Sequence, residues 1–308
     1  MSERALIDWL RRRINPVDNV QVGPGDDAAV LAGDDDGRVV VTVDAFLEGT
    51  HFEPEDAPAR IGHKVIAASV SDIAAMGCEP AASFVTLGMS RSRGEVFVRE
   101  LGEAMIAAAE KYGAPIAGGD VTSWDAPLCV SVTVLGQTGG YEPALRSGAQ
   151  PGDRLFVTGA LGGSLLGKHL DAEPRVREAL FLNREIGVSA MIDVSDGLST
   201  DLGHIAGESG VGAVVRQTAI PVSDAAHELA RQDGRPAIEH ALDDGEDFEL
   251  LFTVGAENAE RLRGSWPFDV PVTEIGEITG KDVVIERADG SRAPLAPRGY
   301  EHKWRRKT

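Results

Sequence analysis

Residues 191–205, MIDVSDGLSTDLGHI, place two carboxylates three positions apart where an apolar run meets a helical pattern. Met191 and Ile192 precede Asp193, and Asp196 precedes Gly197. The apolar side chains that follow recur on one helix face, namely Leu198, Leu202, Ile205 and Ala206. The stretch therefore predicts a strand-to-helix corner that carries two like charges. Either Ser195 or Asp196 caps the helix, or the pair of carboxylates holds a cation.

The charge balance narrows the class of partner. The chain has 308 residues, with 30 Lys and Arg against 49 Asp and Glu, a formal net charge of −19. Such an excess of acid disfavours a general surface for nucleic acid or for an anionic membrane. It favours solubility or cation binding, so we expect neither a nucleic-acid partner nor a membrane partner.

The cysteines and the hydropathy pattern indicate the compartment. Cys78 and Cys129 both lie in apolar stretches, and two cysteines are too few for a disulfide framework or a cysteine zinc site. The first residues, MSERALIDWLRRR, lack the apolar core of a signal peptide, and no run of 18 apolar residues occurs. We expect buried free thiols and a cytoplasmic location.

Strand and helix patterns mix along the whole chain. RVVVTVDAF (38–46) has the β-branched character of a strand, and residues 60–77 read as a helix that ends at Gly77. The polar segment RSGAQPGD (146–153) is a plausible boundary, which predicts two mixed, layered α+β domains at 1–145 and 146–308. The glycine-rich corner TGALGGSLLGK (158–168) is interpreted as a tight turn.

Further carboxylates lie at the ends of elements or on an apolar helix face. Asp27 follows Asp26 in GPGDDAAV, Asp44 ends the strand VVVTVD, and Asp120 ends APIAGGD. Each of these is also compatible with a solvated turn or strand end. Asp72 is the most informative, because its neighbours on helix 60–77 are Ala68, Ser69, Ala75 and Met76. A carboxylate on such a buried stripe must accept hydrogen bonds, form a salt bridge or bind a metal ion.

Convergent carboxylates favour a hard divalent cation. Carboxylate oxygens suit Mg²⁺, Mn²⁺ or Ca²⁺ better than zinc, and several Mg²⁺ ions that bridge a nucleotide would use many aspartates. The sequence lacks a P-loop, a protein-kinase HRD set, a GxSxG elbow and an HExxH motif.

In eight ordered stretches from residue 23 onward the chain resembles the thiamine-monophosphate kinase family, of the aminoimidazole ribonucleotide synthetase-like superfamily. These stretches are GPGDDAAV, VTVDAFLEGTHF, KVIAASVSDIAAMG, AGGDVTS, ALRSGAQPGD, DVSDGLSTDLGHIA, GEDFELLFTV and GYEH. The resemblance implies a two-domain fold and transfer of the γ-phosphoryl group of ATP to thiamine monophosphate, giving thiamine diphosphate and ADP. It also implies several Mg²⁺ ions, a homodimer formed by the N-terminal domains, and an active site in the cleft between the domains.

The resemblance also assigns roles to individual residues. The implied metal ligands are Asp27, Thr42, Val43, Asp44, Asp72, Asp120, Asp193 and Asp196. At Val43 only the backbone carbonyl can serve, where the family often has a hydroxyl side chain. The implied ATP contacts are Tyr112, Gly119, Asp120, Arg146 and Ser195. His51 is an implied substrate contact, and Glu246 and Tyr300 are implied to border the thiamine moiety. His51 could instead be structural, and Tyr300 could pack the C-terminus while Trp304 takes its place.

The chemistry of the implied reaction needs no general base. The attacking oxygen belongs to a phosphate monoester, whose second pKa is about 6, so it is already largely deprotonated at neutral pH. Phosphoryl transfer then depends on positioning and on charge neutralisation, and we assign no catalytic side chain. The alternatives are another ATP-dependent enzyme of the superfamily, such as aminoimidazole ribonucleotide synthetase, and a non-catalytic nucleotide- or metal-binding protein.

Overall fold

The computed structural model describes residues 3–14, 17–33 and 37–302, so Trp304 lies outside the described part of the chain. The N-terminal half alternates strands and helices. Its elements are α1 (Glu3–Arg11), β1 (Val20–Val22), β2 (Ala29–Leu31), β3 (Val39–Leu47), α2 (Pro58–Ala75), β4 (Glu79–Ser90), α3 (Glu95–Lys111), β5 (Ile116–Trp124) and β6 (Cys129–Gln137).

These strands form one sheet in the order β1-β2-β3-β6-β4-β5, in which only the β4–β5 pair is parallel. One face of this sheet is buried, because Val40, Val85, Val130 and Val132 belong to a core that includes apolar residues of α2 and α3. The opposite face stays open, with Val43 64% exposed and Phe84 41% exposed. This one-sided burial is the alternation expected of antiparallel strands.

The C-terminal half contains a second sheet with a different strand order. Its elements are β7 (Arg154–Thr158), α4 (Val176–Phe181), β8 (Ala190–Asp193), α5 (Leu198–Ser209), β9 (Gly212–Arg216), α6 (Asp224–Asp233), α7 (Ala237–Asp243), β10 (Leu250–Val254), α8 (Ala256–Ser265), β11 (Val272–Thr279), β12 (Val283–Glu286) and β13 (Arg292–Pro294). The strand order is β13-β12-β9-β11-β7-β10-β8.

The central strands of this second sheet are covered on both faces. Leu155, Val157 and Ile192 pack in one core with the apolar face of α5, whereas Phe156 and Phe252 pack in another with residues of α4 and α8. Burial on both faces explains why β7 and β10 are apolar runs rather than alternating sequences. Strand β8 and the start of α5 form the strand-to-helix corner that the quoted stretch predicts.

Helix α2 lies between the two halves. Its Ile61 and Val65 pack in the core of the first sheet, while Ala74 joins a core of the second. A helix that is buried on nearly all sides presents few positions to solvent, and Asp72, which is half-buried, is one of the few positions of α2 that face a cavity. Gly77 follows the helix with φ of 63°, the left-handed conformation predicted for the end of this helix.

Some details differ from the sequence-based expectation. Residues 23–37 contain the short strand β2, and residues 171–187 contain the short α4 followed by a π-helical turn, Leu182–Ile186. The corner 158–168 holds tight 3-10 turns, as interpreted from its glycines.

Cys78 is buried, which raises the pKa of its thiol to about 12, but Cys129 is only half-buried. Among the described residues, the helices are too short or too polar to cross a bilayer.

Candidate functional site

Three aspartates meet at the junction of the two halves. Asp27 comes from the loop before β2, Asp72 from α2 and Asp193 from the end of β8, and each offers a carboxylate oxygen within 4.8 Å of the others. Like charges at such distances repel by about 3.5 kcal/mol per pair at an effective dielectric constant near 20. We call these three residues the acidic cluster.

Hydrogen bonds satisfy some of the carboxylate oxygens of the acidic cluster but not all of them. The Thr42 hydroxyl donates a hydrogen bond to the Asp72 carboxylate, and the Ser71 hydroxyl donates one to the Asp193 carboxylate at 2.5 Å. Arg146 pairs with Asp27 at 2.7 Å. Asp27 Oδ2 and Asp193 Oδ1 are buried and have no hydrogen-bond partner within the described ranges. A buried oxygen without a partner is costly, and a divalent cation at this position would satisfy both atoms.

Burial and mutual repulsion act on the protonation of these groups. Burial, together with the charges of Asp44, Asp193 and Asp27, raises the pKa of Asp72 well above its usual value. Burial and the neighbouring Asp27 raise the pKa of Asp193 to about 7. The pKa of Asp44 is also raised by burial, against a hydrogen bond from Ser69. Without a cation, the site therefore reduces its repulsion by holding protons, which a bound metal ion would displace.

Two cavities flank the acidic cluster. The aromatic chamber, of about 490 Å³, is lined by Phe46, His51, Leu165, Asp244, Glu246, Phe248, Tyr300 and His302, among others. The arginine chamber, of about 640 Å³, is lined by Ile7, Arg11, Asp27, Thr42, Arg146, Asp201 and His204, among others. The two chambers share one wall, made by Val43, Asp44, Asp72, Ser195, Asp196 and Tyr300. A ligand in one chamber would thus meet a ligand in the other across carboxylates.

The aromatic chamber contains a neutral histidine. The backbone N–H of Leu47 donates to His51 Nδ1 at 2.9 Å, and the ring lies 5.7 Å from both Phe46 and His302. Burial is the largest influence on its pKa and lowers it, so the imidazole is uncharged at neutral pH. Its environment suits packing against a flat ring more than proton transfer.

Glu246 and Tyr300 border the same chamber. Glu246 Oε1 accepts a hydrogen bond from Lys64 Nζ at 2.7 Å, so its charge is already opposed by a lysine. Tyr300 is 49% exposed, and its backbone N–H donates to the Asp196 carbonyl at 3.0 Å. The Tyr300 hydroxyl lies 3.2 Å from His302 Nδ1. The C-terminal segment is thereby fastened over the strand-to-helix corner.

At the strand-to-helix corner, neither Ser195 nor Asp196 is the N-cap of α5. Helix α5 begins after Gly197, whose φ is 112°, and the Asp201 carboxylate accepts the backbone N–H groups of Asp196 and Gly197 at 3.2 and 3.0 Å. Capping by Ser195 or Asp196 is therefore wrong. Both residues instead line the shared wall between the two chambers.

Tyr112, Gly119 and Asp120 are not brought to this site in the single chain. Asp120 lies on the edge strand β5, where it pairs with Thr86 of β4, and the strands β4 and β6 separate β5 from β3. Tyr112 lies at the end of α3 and donates to Glu173 at 3.0 Å. In the part of the chain that the structure describes, these three residues do not line either chamber. Their assigned ATP and metal contacts stay predictions.

Several residues of the site were not singled out from the sequence. Asp201 and His204 lie with Asp196 in a second group whose ligand atoms are within 4.8 Å of one another. Their spacing in the quoted stretch, one and two turns into α5, is a signal that would have found them. Lys64 and Arg11 carry no local motif, because each reaches a partner far away in the sequence, Glu246 and Glu208 respectively.

Known proteins share this architecture over nearly the whole chain. The family model for the AIR synthase related protein N-terminal domain matches residues 25–138, and the corresponding C-terminal model matches residues 150–288. A thiamine-monophosphate kinase of Rhodopirellula baltica is 42% identical over 97% of each chain.

Two solved structures are similar in fold. The structure of AaThiL complexed with AMPPCP and TMP has a TM-score of 0.85 at 28% identity, covering 98% of this chain and 97% of that one. Thiamine-monophosphate kinase from Stenotrophomonas maltophilia has a TM-score of 0.76 at 36% identity, covering 95% and 98%. The chain belongs to the thiamine-monophosphate kinase family, which is built from the two AIR synthase related domains.

Proposed function

We propose that this protein transfers the γ-phosphoryl group of ATP to thiamine monophosphate, giving thiamine diphosphate and ADP. The observation that carries the proposal is the pair of chambers that share a wall of carboxylates. Two phosphorylated molecules need such an arrangement, because each requires its own cavity while their phosphates must meet. The relatives named above are thiamine-monophosphate kinases, and one of them was solved with an ATP analogue and TMP.

The acidic cluster suits Mg²⁺. Asp27, Asp72 and Asp193 would hold one group of ions, and Asp44 and Asp196 on the shared wall would hold others. Hard oxygen donors and the two unpartnered oxygens fit this ion. When bound, Mg²⁺ neutralises phosphate charge and orients the reacting groups. Thr42 and Ser71 fix the carboxylates by hydrogen bonds, so the ligand oxygens are aimed before any substrate arrives.

The arginine chamber is the proposed nucleotide site. Arg146 is held by Asp27, and its own backbone N–H donates to Asp26 at 3.2 Å, so its guanidinium is pre-positioned at the acidic cluster. A fixed guanidinium binds phosphate oxygens through charge-assisted hydrogen bonds. Ser195 on the shared wall would contact the same phosphates.

The aromatic chamber is the proposed site for the thiamine moiety. Its rings offer flat contact surfaces, and a ring such as Tyr300 can lie over a cationic thiazolium. His51 and Glu246 border the same space. The phosphate of thiamine monophosphate would then point to the shared wall, where its deprotonated oxygen needs no base to attack.

A homodimer formed through the open face of the first sheet is part of the proposal. Its apolar side chains Val43, Leu47 and Phe84 are exposed on one continuous face, which is unusual for a surface without a partner. Asp120 shares this face with its neighbour Thr86, and Val43 belongs both to the face and to the shared wall. A second copy would therefore be packed at the border of the site. Phe84→Glu should give a monomer in sedimentation analysis, whereas an unchanged mass would exclude this face.

A cytoplasmic location completes the proposal, because that compartment supplies ATP and keeps thiols such as Cys78 reduced.

The decisive experiment incubates the protein with ATP, Mg²⁺ and thiamine monophosphate and quantifies both products. We expect one thiamine diphosphate for each ADP. Nucleotide binding without product would indicate a binding protein, and ADP release that depends on another acceptor would indicate a different enzyme of the superfamily.

A further inference from the structure

Lys64 is an unusual charge in this protein because its side chain has no exposed surface. It lies on α2, two turns before Asp72 and on the same face of the helix. Its ammonium group donates to the Glu246 carboxylate at 2.7 Å and also to the backbone carbonyl of His51. Burying an ammonium is costly unless it is paired, so both contacts are needed to keep it there.

Both partners of Lys64 belong to the aromatic chamber, but they come from opposite halves of the molecule. His51 lies in the loop after β3, and Glu246 lies in the loop between α7 and β10. Lys64 itself is behind this wall and does not line the cavity as the described residues define it. It therefore connects the two sides of the chamber from within the protein.

The loop that carries Glu246 is held in a strained conformation. Glu246 and Phe248 have φ of 52° and 51°, in the left-handed region that non-glycine residues seldom adopt. Their N–H groups donate to the carbonyls of Ser195 at 2.7 Å and Val194 at 2.9 Å. These bonds fix the backbone, whereas the ion pair with Lys64 fixes where the Glu246 carboxylate points. About a quarter of that side chain, 23%, remains exposed toward the chamber.

We propose that Lys64 is a positioning residue for thiamine monophosphate, which acts through Glu246 and the loop of His51. It determines the shape of the aromatic chamber and opposes the Glu246 charge, so the chamber is complementary to the ring system of the substrate. The inference rests on the proposed function. It predicts an effect on the thiamine substrate alone, because the two contacts of Lys64 are both in the aromatic chamber.

The test compares Lys64→Met with Glu246→Gln and the double variant Lys64→Met/Glu246→Gln in steady-state assays with each substrate varied. Methionine keeps most of the packing volume and removes the charge. We expect Lys64→Met to raise KM for thiamine monophosphate at least tenfold while KM for ATP changes less than twofold. Because Lys64 acts through Glu246, the double variant should be no worse than the more impaired single variant.

Arg175→Met is the matched control. Arg175 is a largely buried cation that pairs with Glu249 at 2.7 Å and, within the described chain, lines neither chamber. Its loss should lower the melting temperature without changing either KM more than twofold. If Lys64→Met behaves like Arg175→Met, with lower stability and an unchanged KM for thiamine monophosphate, Lys64 is merely structural and the inference is overturned.

Two further outcomes are decisive. If Lys64→Met does not fold, the double variant takes its place, since it leaves no unpaired buried charge, and a wild-type KM for thiamine monophosphate in that variant overturns the inference. If the wild-type protein forms no thiamine diphosphate, the proposed function itself fails and the inference falls with it. If the wild type is active and Lys64→Met keeps the wild-type KM for thiamine monophosphate, the proposed function stands and only the role of Lys64 is refuted.

Discussion

Asp193→Asn should make the metal-free protein more stable while it abolishes the response to Mg²⁺. Asp193 is buried, and its pKa of about 7 compares with about 3.9 in an unfolded chain. A shift of about 3 units means that ionising Asp193 in the folded state costs about 4 kcal/mol at neutral pH. An asparagine avoids this cost and can donate to a neighbouring carboxylate. Loss of the Ser71 hydrogen bond lowers the stability by about 1 kcal/mol. The free energy of unfolding of the metal-free variant should therefore exceed that of the wild type by about 3 kcal/mol.

Thermal unfolding at pH 7.5 measures this effect. In EDTA, Asp193→Asn should unfold about 6 °C above the wild type, at roughly 2 °C for each kcal/mol. The wild type should gain about 2.7 kcal/mol when Mg²⁺ reaches a hundred times its dissociation constant, and the variant should gain far less. Turnover in the variant should be negligible, because a ligand of the acidic cluster is missing.

Asp247→Asn provides the control for this comparison. Asp247 is equally buried, burial raises its pKa to about 7, and it accepts the Gly162 N–H instead of facing the acidic cluster. Its variant should keep the full Mg²⁺ response. An Asp193→Asn protein that is less stable than wild type in EDTA, or that still responds to Mg²⁺, would refute the assignment of this carboxylate to a cation site.

Three other measurements test separate parts of the site. Arg146→Ala should raise KM for ATP about tenfold, as expected for a charged hydrogen bond of about 1.5 kcal/mol, and an unchanged value would exclude contact with ATP. Tyr300→Ala should raise KM for thiamine monophosphate about fivefold while Tyr300→Phe leaves it unchanged, because the ring face makes the contact; equal effects would assign the role to the hydroxyl. In EDTA, urea unfolding should show that the stability of the wild type relative to the Asp26→Asn/Asp247→Asn variant falls from about pH 4 to pH 7. Over that interval the folded wild type keeps protons on Asp26 and Asp247, with pKa values raised by burial to about 6 and about 7, that the unfolded chain releases. A difference that rises over this interval would contradict these pKa shifts.

The sequence predicts those parts of the structure that depend on local periodicity. Helix α2 was expected over 60–77 and spans Pro58–Ala75, and the strand expected over 38–46 is β3, Val39–Leu47. Asp72 could be placed on a buried stripe because its neighbours three and four positions away are all small or apolar. Ala68, Ser69 and Met76 are indeed buried.

What the sequence could not supply are contacts between distant residues. Lys64 and Glu246 are 182 positions apart in the sequence, and no local pattern around either residue predicts that the two form a pair. Gly119 and Asp120 illustrate the opposite case. Their motif is recognisable, yet the strand order places them on an edge strand away from the chambers, which no local pattern in the sequence indicates.

One helix links the recognition of both proposed substrates. Asp72 and Lys64 lie on the same side of α2, so about 12 Å of helix separates the acidic cluster from the lysine that contacts the wall of the aromatic chamber. Because α2 is packed against the cores of both halves, it cannot tilt without disturbing either. The Lys64–Glu246 pair and the approach of Asp72 to Asp193 both join α2 to the second half, so the placement of α2 sets the geometry of the aromatic chamber and of the acidic cluster at the same time.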